Sequence, residues 1–110
     1  MTAIAIGAAV FLIGRFILAR MNRINGQQAR AEVEAGAVLL DVRTPAEFAS
    51  GSIPGAKNVP LDRLASRIGE LDKEKKVVVF CRSGNRSATA AGILRRHGFT
   101  ALDLGPVSAW

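Results

Sequence analysis

An uninterrupted apolar run, Val77-Val78-Val79-Phe80, ends at a cysteine and passes directly into Arg82-Ser83-Gly84-Asn85-Arg86-Ser87. Three β-branched residues and a phenylalanine after the charged stretch Asp72 to Lys76 predict a strand over Lys76 to Phe80, with both faces buried as in the centre of a parallel sheet. The next six residues contain two arginines, two serines, a glycine and an asparagine. Such a loop is costly beside a core unless it binds something. The chain therefore predicts a strand that delivers Cys81 into an anion-binding loop.

Cys81 is the only cysteine, so it has no partner for an intramolecular disulfide, and the CxxC and Cys/His spacings of metal sites are absent. Neither a metal nor a cofactor is expected. A lone cysteine at a strand end is compatible with a small core side chain. Two flanking guanidinium groups and small residues that let N–H groups converge favour a thiolate instead. A helix beginning near Ser87 would add its positive end. Cys81 is the candidate nucleophile, and Arg82 and Arg86 are the candidate anion holders. Ser83, Gly84, Asn85 and Ser87 shape the cradle.

Strand and helix signals alternate along the remaining chain. Met21 to Gly26 is a connector with a possible edge strand near Ile24, and Gln27 to Ala35 is a helix stopped by Gly36. Ala37 to Val42 is a buried strand. Thr44-Pro45-Ala46-Glu47 combines a cap, a proline at the first helical position and a glutamate three residues after the cap, predicting a short helix over Thr44 to Ser50. A short strand follows near Asn58 and Val59. Leu61, Leu64, Ile68 and Leu71 share one face of a helix predicted over Asp62 to Leu71. Ser87 to His97 is a helix ended by Gly98, and Thr100 to Leu104 is the last strand. This alternation predicts an α/β fold, an open parallel sheet of about five strands flanked by helices. Loops at the carboxyl ends of such strands carry chemistry, and Cys81 falls there.

Leu39 to Leu61, with its Asp41-Val42-Arg43 element and its Gly51-Ser52-Ile53-Pro54-Gly55-Ala56 turn, together with the loop from Cys81 to Ser87, closely resembles the rhodanese domain, the thiosulfate sulfurtransferase family. The resemblance covers roughly Ile24 to Trp110 and includes the closing Leu104-Gly105-Pro106-Val107-Ser108-Ala109-Trp110. It departs at Ser52, where the family usually carries histidine. What it implies is double displacement: Cys81 attacks the outer sulfur of thiosulfate or a related sulfane-sulfur donor, sulfite leaves, and a Cys81 persulfide passes sulfur to cyanide or a thiol. Asp41 and Arg43 are supporting candidates on the same sheet edge, although a turn cap and an ion pair would account for them without catalysis. His97, before Gly98, reads as a helix-end residue.

Two other functions compete. Cysteine-dependent phosphatases and arsenate reductases also use a strand, an anion loop and a helix, but they typically place five residues between cysteine and arginine, where Cys81 and Arg86 enclose four. A non-enzymatic rhodanese-like module that carries sulfur or binds a membrane partner is the other alternative.

The 110 residues suffice for one small domain and exclude a second. The formal charge is +6, and Arg15, Arg20 and Arg23 lie before residue 24, leaving 12 basic residues against 9 acidic. That excess suits small anions or a membrane surface. With no basic run interleaved with aromatics, nucleic acid is not an expected partner.

From Ala3 to Ala19 the only charge is Arg15. As a helix, Met1 to Ala19 would reach roughly 28 Å, close to the ~30 Å hydrocarbon core. Arg15 would cost about 3 kcal/mol at mid-bilayer but can snorkel near the helix end. The expectation is a transmembrane helix over residues 1–20 that contacts the membrane through residues 3–19, a connector at 21–26 and a rhodanese-like domain at 24–110. Arg20 and Arg23 flank the run on its C-terminal side, which places the domain in the cytoplasm of a single-pass inner-membrane protein. A cleaved signal peptide would want positive charge before the run, and an interfacial or buried helix could also use a segment this short.

Overall fold

The computed structural model describes residues 23–110. Its strands β1 (Val38–Asp41), β2 (Lys57–Asn58), β3 (Val77–Cys81) and β4 (Ala101–Pro106) form one sheet in the order β2-β1-β3-β4. All three pairings are parallel. The helices are α1 (Gly26–Glu34), α2 (Pro45–Ala49), α3 (Leu61–Leu64) and α4 (Asn85–Arg96), with 3-10 turns at Ile68–Glu70 and Val107–Ala109. The expected transmembrane helix lies outside the described residues, and among those described no helix is long and apolar enough to cross a membrane.

β3 is buried along its whole length, and its alternating side chains serve two cores. Val77, Val79 and Cys81 face a cluster with Leu64, Ala90, Ala91 and Leu94 from α3 and α4. Val78 and Phe80 face Ala29 of α1 together with Leu39, Ile53 and Leu104. This parity turns the Cys81 side chain toward the face covered by α4.

The structure departs from the sequence reading in five places. The sheet has four strands among the described residues, not about five. The edge strand expected near Ile24 shrinks to one bridge, Arg23 with Asp103, because Asn25 caps α1 immediately through a reciprocal pair of bonds with Gln28. The helix expected over Asp62 to Leu71 breaks after Leu64. There the Ser66 hydroxyl donates to the Arg63 carbonyl at 2.9 Å and Gly69 lowers helix propensity. Leu64 and Leu71 still reach the core. The helix expected from Ser87 begins at Asn85, because Gly84, at φ 103°, takes the cap position that a side chain usually fills. The last strand runs on to Pro106 through a register shift: Val79 pairs with Asp103 but Phe80 with Gly105, so Leu104 is an extra residue.

The capping box at Thr44 is present. Glu47 N–H donates to Thr44 Oγ1 at 3.2 Å, and Thr44 N–H donates to Glu47 Oε1 at 3.0 Å.

Candidate active site

β3 ends with Cys81 fully buried, and the chain then curls back so that two backbone N–H groups donate to its sulfur. Gly84 N lies 3.0 Å and Ser87 N 3.3 Å from Cys81 Sγ. The Ser87 hydroxyl donates to the Gly84 carbonyl at 3.0 Å and closes the turn. α4, twelve residues long, starts within this curl and directs its positive end at the same atom. The arrangement can hold a negatively charged sulfur, whether on a thiolate or one atom further out.

Of the candidate loop residues, the structure brings Cys81, Gly84 and Ser87 together and leaves Arg82, Ser83 and Asn85 exposed around them.

Arg86 has a different setting from the one expected. Its guanidinium grips Glu47 with two bonds, Nη1 to Oε1 at 2.6 Å and Nη2 to Oε2 at 3.0 Å. Arg86, together with the Thr44 N–H and hydroxyl that share Oε1 with it, holds Glu47 far below the ordinary carboxylate range. Arg86 is correspondingly raised, chiefly by its bond to Glu47. Since the folded-state value of Glu47 is depressed, the pair's contribution is complete above the unfolded carboxylate range and fades only as pH falls through the lower folded value. The Arg86 clamp is therefore expected to stay closed throughout the neutral and mildly acidic range, and an unchanged loop spectrum by NMR between those conditions would check it. Glu47 is the residue that sequence reasoning missed. Its place in the sequence signals only a helix cap, and nothing local points to a partner 39 positions away.

Arg86 also borders an open groove of about 370 Å³ lined by Val42, Thr44, Pro60, Leu61 and Asp62. Of the loop residues Cys81 to Ser87, Arg86 is the one that lines this groove.

Asp41 and Arg43 form a separate buried knot at the end of β1. Arg43 Nε lies 3.0 Å from both carboxylate oxygens of Asp41 and Nη2 lies 2.8 Å from Oδ2. Arg43 Nη2 also donates to the Gly51 carbonyl, and the Asn58 amide bridges the carbonyls of Asp41 and Arg43. Arg43 is held above its ordinary value, first by its bond to Asp41. Ser52, at the position where the resemblance departs, donates its hydroxyl to Asp41 Oδ2 at 2.8 Å. A small donor thus satisfies the buried carboxylate in this chain. Both residues tie β1 to the Gly51–Ser52 turn and to β2, and neither bonds to Cys81.

Comparison with known proteins agrees with this geometry. Residues 25–105 match the rhodanese-like domain model. A sulfurtransferase of Allochromatium vinosum is 43% identical over 75 residues, 66% of this chain and 70% of that protein. A thiosulfate sulfurtransferase of Pseudomonas syringae pv. syringae is 41% identical over 83 residues, 76% of this chain and 78% of that protein. Among solved structures, a rhodanese-related protein from Thermoplasma volcanium superposes with a TM-score of 0.69 at 34% identity, covering 77% of this chain and 83% of that one. With a matching domain model over most of its length, this sulfur cradle and relatives of this similarity, the chain belongs to the rhodanese-like domain family and is a rhodanese-type transferase.

Proposed function

We propose that Cys81 accepts sulfane sulfur from thiosulfate or a related donor and passes it to cyanide or a thiol, and that the domain works at the cytoplasmic face of a membrane. The observation that carries the chemistry is the pair of N–H donors at 3.0 and 3.3 Å on Cys81 Sγ. The thiolate attacks the outer sulfur of thiosulfate, the S–S bond breaks, and sulfite leaves with the bonding pair. The terminal sulfur of the persulfide is anionic, and the cradle with the α4 terminus suits that charge. Cyanide then attacks this sulfur, thiocyanate departs, and the Cys81 thiolate is restored; a thiol acceptor leaves as its own persulfide.

Intact mass spectrometry after exposure to thiosulfate tests this directly. The expected result is a gain of one sulfur atom, lost again on adding cyanide. An unmodified mass would favour the alternative reading, a rhodanese-like sulfur carrier or partner-binding module loaded by another donor.

Arg82 is exposed and its guanidinium has no hydrogen bond or ion pair among the described residues, whereas Arg86 is committed to Glu47. Arg82 therefore takes the role of steering the anionic donor. Arg82→Ala is expected to raise KM for thiosulfate about threefold to tenfold with kcat and melting temperature nearly unchanged. A large loss of stability would recast Arg82 as structural.

Membrane attachment rests on the apolar run at residues 3–19 and the arginines that follow it. The full chain is expected to fractionate with membranes and to resist carbonate extraction. Orientation is tested with Lys75→Cys, an exposed site, in a Cys81→Ser background. An impermeant maleimide should label it only after lysis; labelling of intact cells would overturn the cytoplasmic assignment.

A further inference from the structure

Arg23 stands in the sequence as part of the basic flank of the apolar run, yet its side chain belongs to the domain. Its backbone bridges to Asp103 and the next N–H, that of Ile24, donates to the Asp103 carbonyl at 2.9 Å. Arg23 Nε lies 3.5 Å from Asp103 Oδ2, and the Asp103 side chain is only 5% exposed. The other carboxylate oxygen of Asp103, Oδ1, is buried with no hydrogen-bond partner among the described residues. Arg23, whose side chain is 45% exposed, is the cation that faces this buried carboxylate.

Beyond Asp103 the guanidinium rests on two glycines. A methyl group at Gly105 would come within 2.7 Å of Arg23 Cζ, and one at Gly84 within 3.2 Å of Nη2. Gly105 follows the extra residue of β4 and pairs with Phe80. Gly84 supplies the shorter of the two N–H bonds to Cys81 Sγ. A single side chain thus reaches from a buried carboxylate on β4 to the peptide that holds the sulfur.

We propose that Arg23 is a positioning residue for the Cys81 loop: anchored by Asp103, its guanidinium lies against Gly105 and Gly84 and keeps the Gly84 N–H on the sulfur. Glycine is the residue with most backbone freedom, and Gly84 sits at φ 103° between exposed neighbours. A planar group against it limits that freedom, which a lysine ammonium of the same charge does not reproduce. The role does not depend on the identity of the sulfur donor or on attachment to a membrane.

Amide hydrogen exchange on the full chain in detergent tests it without relying on turnover. In Arg23→Gln the amides of residues 82–87 should exchange about tenfold faster, while those of Val77–Phe80 keep their protection. Arg23→Lys should behave like Arg23→Gln. Because removing Arg23 leaves Asp103 buried without its cation, the double variant Arg23→Gln/Asp103→Asn guards against general loosening. It should restore any protection lost from β3 and leave the loop fast. For sulfur transfer, kcat should fall about threefold to tenfold with KM unchanged. Wild-type loop exchange in the double variant or in Arg23→Lys, or equal acceleration of loop and β3 in the double variant, overturns the proposal.

Discussion

Cys81→Ser is expected to lower sulfur transfer by about a thousandfold or more and to leave the domain folded. Serine is nearly isosteric, and its hydroxyl can accept from the same Gly84 and Ser87 N–H groups that now reach sulfur. What it lacks is a sulfur nucleophile that can carry a second sulfur. The measurement is thiosulfate turnover beside a melting curve. Retained turnover would remove Cys81 from the reaction.

Asp41→Ala should have the largest effect on stability. Asp41 is fully buried and accepts bonds from the Arg43 backbone and guanidinium and from the Ser52 hydroxyl. Truncation would leave the guanidinium of Arg43, whose side chain is 8% exposed, without its counter-charge. Breaking a buried pair from one side costs about 3–5 kcal/mol. For a domain of this size that lowers the melting temperature by at least about 12 °C. The check is thermal unfolding followed by circular dichroism. A shift of only a few degrees would show that the knot is not a structural support, and would reopen a role for Asp41 and Arg43 near the chemistry. Arg43→Lys should recover little, because an ammonium cannot occupy both oxygens of Asp41 and the Gly51 carbonyl together.

Features set by neighbouring residues were legible in the sequence. The β3 run, the capping box at Thr44 and the stops at Gly36 and Gly98 depend on local composition, and each element lies where its signal predicts. The resemblance to rhodanese domains rested on contiguous motifs, and the domain-model match over residues 25–105 agrees with it. What the sequence concealed was competition between distant partners. Arg86 could face an anion or a carboxylate, and only folding shows that Glu47 on α2 reaches it. Arg23 could flank a membrane or pair with Asp103, and an 80-residue separation hides the second possibility. The broken α3 has a different cause. Its apolar spacing is helical throughout, but burial of Leu64 and Leu71 is achieved without a continuous helix once Ser66 and Gly69 weaken the turn between them.

The alternation of β3 between two cores also limits how the length of this chain can change. Deleting one residue from Val77–Phe80 would swap the faces of every side chain beyond the gap and carry the sulfur to the α1 side, away from the α4 terminus. A deletion or insertion in the exposed stretch Lys73–Lys76 meets no such parity rule. Among descendants or engineered versions of this chain that keep the chemistry, gaps and extra residues should therefore accumulate before Val77, while the count from Val77 to Cys81 stays fixed.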